Sequence, residues 1–148
     1  MRDGIAVRGT IEVMEHDAET GALISLYHGC NRVVNGGLDL IAERLRGNTA
    51  VSGVTKYALG TGSTPPVAGD TALQAEGYRG LLTQTRVSAG ELKVTLFLGS
   101  SEGNGLTYTE GGAFNDEGTM LCRALFPAKV KTALKTLTVI HTVPITAS

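Results

Sequence analysis

ALGTGSTPPVAGDTALQAEGYRG, residues 58–80, is the stretch on which the reading of this chain turns. It begins at the end of a buried strand, VTKYALG at 54–60, and runs through Gly-Thr-Gly into a Pro65-Pro66 loop. It closes on a short polar turn that carries Glu76 and Arg79. The Gly-Thr-Gly invites comparison with a phosphate-binding loop, and the comparison fails. A P-loop needs a lysine after its last glycine, and a dinucleotide fold needs a helix there. Prolines follow instead, and proline has no N–H with which to cradle a phosphate. The stretch suits a fixed path over a surface: Pro65-Pro66 stiffens it in extended form. Asp70 is expected to start one helical turn through Thr71, Ala72 and Leu73, with Leu73 anchored on the core.

On the N-terminal side, residues 4–29 read as a hairpin. Ile5, Val7, Ile11 and Val13 alternate with Arg8, Thr10 and Glu12, which is the period of a strand. HDAETG at 16–21 is turn chemistry, with Gly21 suited to positive φ, and ALISLYH at 22–28 returns. A short helix is expected over 36–46. Asn35 is its expected N-cap, Leu38, Ile41, Ala42 and Leu45 its apolar stripe, and Gly47-Asn48 its left-handed stop.

On the C-terminal side, residues 54–146 read as the remaining strands. Residues 81–88 and 91–98 pair around Ala89-Gly90, and SSEGNG at 100–105 is an open polar loop. Glu110-Gly111-Gly112 reads as a tight bend, and Asn115 to Gly118 as a hairpin turn. Met120, Cys122, Ala124 and Phe126 alternate with Thr119, Leu121, Arg123 and Leu125. In the final strand Leu137, Val139, Val143 and Ile145 share a face, and Pro144 is expected to end the strand or mark an edge. The count is about eight antiparallel strands and one helix, so the expected fold is a mainly β single domain over 1–148, a β-sandwich. Apolar residues on both faces of several strands imply cover by the helix or by a neighbouring subunit.

The totals agree with one globular domain. The chain has 148 residues, 42% of them hydrophobic and 18% charged, with 20 glycines and a formal net charge of -1. That charge gives no basic footprint for nucleic acid. No apolar run suits a signal peptide or a membrane span, so synthesis and assembly are expected in a reducing cytoplasm. Cys30 and Cys122 belong to no metal or redox motif and read as small buried residues. His16, His28 and His141 lack ligand spacing and read as surface or half-buried imidazoles. There is no Gly-x-Ser-x-Gly, no acidic pair placed for acid–base work and no tryptophan platform for a sugar. No catalytic, cofactor-binding or metal residue is assigned, and no enzyme activity is expected. The candidate site is instead a structural clamp of Glu76, Arg79 and Glu110. An Arg–carboxylate pair in such a clamp fixes geometry when buried and contributes little when exposed.

The order of these pieces carries more than any one of them. Asn31, Asn35, Gly37-Leu38 and Leu40-Ile41 precede Ala58-Leu59-Gly60-Thr61-Gly62 and Pro65-Pro66. Then come Asp70-Thr71-Ala72-Leu73 with Glu76 and Arg79, then Glu110-Gly111-Gly112-Ala113-Phe114. Gly118-Thr119-Met120-Leu121, Arg123-Ala124 and Phe126-Pro127 follow. Over roughly residues 28–145 this ordered set resembles a family of tailed-bacteriophage virion proteins of tail-fibre, tail-collar or baseplate-associated type. The resemblance implies a small β-rich building block of a tail, neck or fibre attachment. Such a block works as a homo-oligomer, with other phage tail, neck or fibre proteins as partners and the virion as its location. Members of such families often carry a longer C-terminal receptor-binding part. This sequence ends at Ser148 just after its last predicted strand, so an adaptor role is expected. The alternatives are a carbohydrate-binding β-sandwich at a virion tip, built on Tyr57, Tyr78, Tyr108 and Phe114, and a capsid decoration protein.

Overall fold

The computed structural model describes residues 5–7 and 9–147. Ten strands and one helix follow in chain order: β1 Ile5–Val7, β2 Gly9–Asp17, β3 Leu23–Val33, α1 Asn35–Leu45, β4 Val54–Gly60 and β5 Glu76–Leu81. β6 Gln84–Ser88, β7 Glu91–Leu98, β8 Thr107–Asn115, β9 Met120–Val130 and β10 Lys135–Ala147 complete the chain. All pairings are antiparallel, and the strands join into one sheet in the order β5-β4-β8-β9-β3-β2-β10-β7-β6, with β1 added to β10. The eight-strand sandwich expected from the sequence is thus corrected to a single curled ten-strand sheet. Its two halves meet at β3 and β9, which share only the pairs Arg32↔Arg123 and Val33↔Cys122. The curl closes a common core between the halves. Ile11, Val13, Val94, Leu96, Leu98, Leu137 and Val139 come from one half, and Tyr57, Leu59, Tyr108, Ala113, Cys122 and Phe126 from the other.

Several local expectations hold. The hairpin turn after β2 is fixed by Asp17, whose carboxylate accepts the Glu19 and Thr20 N–H groups at 3.0 and 2.8 Å, with Gly21 at φ 73. The hairpin between β6 and β7 turns through Ala89 and Gly90 at φ 51 and φ 76, the two positive values that a tight hairpin turn needs. β4 has the residues expected of it, and Gly118 at φ 87 turns β8 into β9.

Others are corrected. Ile5–Val7 does not extend β2 but pairs with the end of β10, and Gly4 lies outside the described residues. β10 neither ends at Pro144 nor forms an edge. It lies between β2 and β7 as far as Thr142 and runs on to Ala147 against β1, and Pro144 falls between the last pair with β2 (Thr142↔Thr10) and the first with β1 (Ile145↔Val7). A missing N–H is tolerated in that gap. Glu110-Gly111-Gly112 is strand interior rather than a bend. Gly111 is required there because a Cβ would collide with the Tyr57 hydroxyl.

The helix is rotated from its expected setting. Gly37 and Leu40 are its buried residues, whereas Leu38, Ala42 and Leu45 of the expected stripe are exposed, Leu45 at 79%. The cause is Gly37: its Cα lies so close to the Leu121 carbonyl of β9 that a side chain would overlap it. Backbone contact at the glycine sets which face turns inward. Val34, not Asn35, is the N-cap, and no side chain caps it. The Asn35 N–H instead donates to the Ala68 carbonyl at 2.8 Å, tying the helix start to the loop of residues 61–75.

Candidate functional site

The loop of residues 61–75 contains no helical turn; Asp70 serves as a hydrogen-bond acceptor there rather than as a helix start. Fifteen residues without secondary structure are long for a compact domain, and a buried charge cluster holds them down. Register places Gly60 of β4 opposite Glu110 of β8 on one side and Glu76 of β5 on the other. One row over, Ala58 stands between Arg79 of β5 and Gly112, which in turn faces Arg123 of β9. Small residues on β4 therefore leave space between two Glu–Arg pairs on one face of the sheet. A Cβ at Gly60 or Gly62 would come within 2.5–2.6 Å of Glu110 Oε1. This is the physical meaning of the Gly-Thr-Gly.

The inner pair is the lock. Glu110 is fully buried, and Arg123 is 2% exposed. Arg123 donates to Glu110 Oε2 from Nε at 3.0 Å and Nη2 at 2.7 Å, to the Thr64 carbonyl at 2.8 Å and to Asp70 Oδ2 at 3.0 Å. Glu110 accepts further N–H bonds from Gly62, Gln74 and Ala75 at 3.1, 3.1 and 2.8 Å. Burial by itself would raise the Glu110 pKa. The hydrogen bonds from Ala75, Arg123 and Gln74, with the Arg123 charge, outweigh it and hold the carboxyl below its ordinary range. Gln74 Oε1 accepts the Ser63 and Thr64 N–H groups, both at 2.8 Å, and Leu73 packs with Val34, Ala58, Phe114 and Met120. The loop is thus nailed across the outside of β4, β8 and β9.

The outer pair is Glu76–Arg79, bidentate at 3.1 and 2.7 Å on the edge strand β5, with Arg79 stacked 4.0 Å above the Phe114 ring. The residues expected as a polar turn are strand β5. Of the three clamp residues read from the sequence, Glu76 and Arg79 pair with each other, and Glu110 pairs with Arg123. All share one face, but as two separate locks.

A second buried polar group fastens the two halves of the sheet across the core. His141 of β10 is fully buried, correcting the surface or half-buried position expected for it. Its Nε2 meets the Tyr57 hydroxyl of β4 at 2.5 Å, while its Nδ1 meets Asn31 Nδ2 of β3 at 2.6 Å and Cys122 Sγ of β9 at 3.3 Å. Burial drives the His141 pKa down to about 3, and burial raises the Cys122 thiol to about 12. A Cys–His pair at this distance has the outline of a nucleophile and its base. Both groups are sealed from solvent, and near neutral pH they hold neither thiolate nor imidazolium, so the pair acts as internal bonding. Cys30, expected to be buried, is exposed on the outside of β3.

Tyr57, Tyr108 and Phe114 are buried and Tyr78 is half-buried, so the four rings weighed as a sugar platform do not meet on a surface. Among the described residues no three of His, Cys, Asp and Glu gather as a metal-ligand group, and no helix is long and apolar enough to cross a membrane. Arg123 and Asn31 enter the sequence reading only as members of the ordered motif set, without their buried partners, and nothing there signals that His141 is buried. Arg123 left one signal: it stands alone in Met120-Leu121-Cys122-Arg123-Ala124-Leu125-Phe126, where a charge inside an apolar strand calls for a buried partner. No family model, curated protein or solved structure matches this chain.

Proposed function

We propose that this chain is a non-enzymatic structural component of a tailed-phage virion. It acts in a tail, neck or baseplate as an oligomeric adaptor or fibre-attachment subunit. One observation carries the reading. The residues on which the family resemblance rests are scattered over the sequence, yet Gly60, Gly62, Asp70, Leu73, Glu110 and Arg123 assemble on one face into a single lock. Motifs that converge on one piece of architecture support a shared building block rather than chance similarity in separate stretches. The lock fixes shape, which is what a subunit under mechanical load needs.

The surface supports association. Leu45 and Val87, both exposed, are gathered in one groove, and apolar surface gathered in one place is what marks contact with other chains. Between α1 and the β6–β7 hairpin lies a groove of about 480 Å³ lined by Ile41, Leu45, Val54, Val87 and Leu92. The burial of three of the four candidate rings weighs against a sugar-binding tip.

Immunogold labelling of purified particles with an antibody to this chain tests the reading. Label on the tail, neck or baseplate is the expected result. Label spread over the head would make the chain a decoration protein, and particles without label would remove the virion role.

A further inference from the structure

We infer that Lys131 and Asn104 are placed to join spontaneously, the Lys131 Nζ replacing the side-chain nitrogen of Asn104 to form an intramolecular isopeptide bond. The inference stands apart from the virion reading, since it needs only the folded chain.

SSEGNG at 100–105, expected as an open polar loop, is wired down from several sides. Asn104 Nδ2 donates to the Ser100 carbonyl at 2.8 Å, Tyr108 Oη donates to the Gly103 carbonyl at 2.7 Å, and Glu102 Oε1 accepts the Gly99 N–H at 3.2 Å. Two backbone bonds then clamp the end of the loop to the residue after β9. The Gly105 N–H donates to the Lys131 carbonyl and the Lys131 N–H to the Leu106 carbonyl, both at 3.0 Å. The two side chains meet as a consequence. Lys131 Nζ donates to Asn104 Oδ1 at 2.7 Å, so the carbon to be attacked lies one C=O bond beyond the contact. Groups held together in this way react as if at very high concentration.

The surroundings favour a neutral product. Lys131 is 2% exposed, and its second acceptor is the uncharged Thr132 carbonyl at 3.0 Å. Among the described residues no carboxylate lies within ion-pairing distance of it. A buried ammonium without a partner is costly, and burial lowers the Lys131 pKa against the opposing charge of Glu102. Both effects ease loss of the proton that keeps Nζ from acting as a nucleophile. Conversion to an amide removes the buried charge and keeps one N–H for Thr132. Asn104 is exposed, so the nitrogen it loses has a route to solvent.

The step needs no further reactant. Nζ gives up two protons, with the Glu102 carboxylate as carrier. Loss of the first frees the lone pair that attacks Cγ. The second is lost as the Cγ–Nδ2 bond breaks, and both end on Nδ2, which leaves as ammonium. The rival at an Asn-Gly pair is attack by the next backbone nitrogen, but here the Gly105 N–H is committed to the Lys131 carbonyl. The new bond would close the chain from 104 to 131 into a ring that contains Glu110 and Arg123. A covalent ring restricts the unfolded chain and so stabilises the fold around the lock.

Intact-mass spectrometry of the purified full chain, unfolded after storage at neutral pH, is the test. The expected mass is that of the sequence less one ammonia. A digest should then yield one branched peptide joining the segments of Asn104 and Lys131. Lys131→Arg and Asn104→Ala should each keep their full mass, as should the wild-type chain stored in urea. Glu102→Gln should form the bond about 100-fold more slowly. A wild type of unaltered mass would overturn the inference. So would a loss of ammonia that persists in Lys131→Arg, or conversion of Asn104 to aspartate, because each marks the backbone route. Bond formation at the wild-type rate in Glu102→Gln would overturn the part given to Glu102.

Discussion

The two halves of the curled sheet solve the same problem in different ways. Each has one face on the common core and one face turned out. Over β4, β8 and β9 the outer face is covered by the chain itself: α1 lies against β9, Leu73 fills the gap beside Phe114, and residues 61–75 are bolted down through Arg123 and Glu110. Over β3, β2, β10 and β7 no part of the described chain covers the face, which displays Leu26 and Phe97. A buried salt bridge adds little net stability compared with apolar packing, but it fixes one geometry and is costly to break from one side. The first half therefore uses polar chemistry to hold a loop over its outer face, and the second leaves Leu26 and Phe97 exposed.

Breaking the lock should have the largest effect. Arg123→Ala leaves Glu110 buried and charged without its partner, and is expected to cost about 3–5 kcal/mol in urea unfolding. A loss below about 1 kcal/mol would mean that the lock does not hold the loop.

Acid comes next. The His141 pKa falls from 6.5 to about 3 on folding, so between those values the unfolded chain binds more protons than the folded one. Stability from this group is whole above pH 6.5 and is lost as pH falls toward 3. Glu110, also lowered on folding, adds to the loss only from the ordinary glutamate value of 4.5 downward. Unfolding midpoints measured from pH 7 to pH 4 should therefore begin to fall well before any carboxylate titrates. His141→Gln should flatten the upper part of that slope, and an unchanged slope would clear His141 of the effect.

Steric changes around the lock are smaller. Gly62→Ala drives a methyl to within 2.5 Å of Gln74 and 2.6 Å of Glu110, and is expected to cost about 1–3 kcal/mol. Gly69→Ala, in the same loop but facing open space, should be near neutral. Equal thermal shifts in the two variants would contradict the packing described for residues 61–75. The smallest effect belongs to the outer pair: Glu76→Gln, on an exposed edge, should change stability by about 0–1 kcal/mol. Thermal denaturation of this variant beside Arg123→Ala separates the two locks directly.

Much of the fold was legible because strand alternation and turn residues are local signals. β4, the Asp17 turn and the Ala89-Gly90 hairpin each follow from neighbours within a few positions. What escaped depends on pairing across distance. Nothing near Glu76–Leu81 says that this polar segment is an edge strand, because an edge needs no apolar alternation of its own. The helix stripe was misplaced because Gly37, which carries no hydropathy signal, decides the contact with β9. Glu110 could be singled out, but its partner Arg123 lies across the hairpin and Asp70 in a loop, so only the β8–β9 and β4–β8 registers reveal the lock. His141, Tyr57, Asn31 and Cys122 come from four strands, and no spacing along the chain relates them.

Thiol labelling tests the contrast between the two halves most directly. Cys30 stands exposed on the uncovered face, in the row with Thr10 and Lys93, and Cys122 is sealed in the core. In native protein one thiol per chain should react with a small reagent, Cys30. Cys122 should react only on unfolding. A Cys30 that is unreactive in the native state, or a Cys122 that reacts there, would contradict the account.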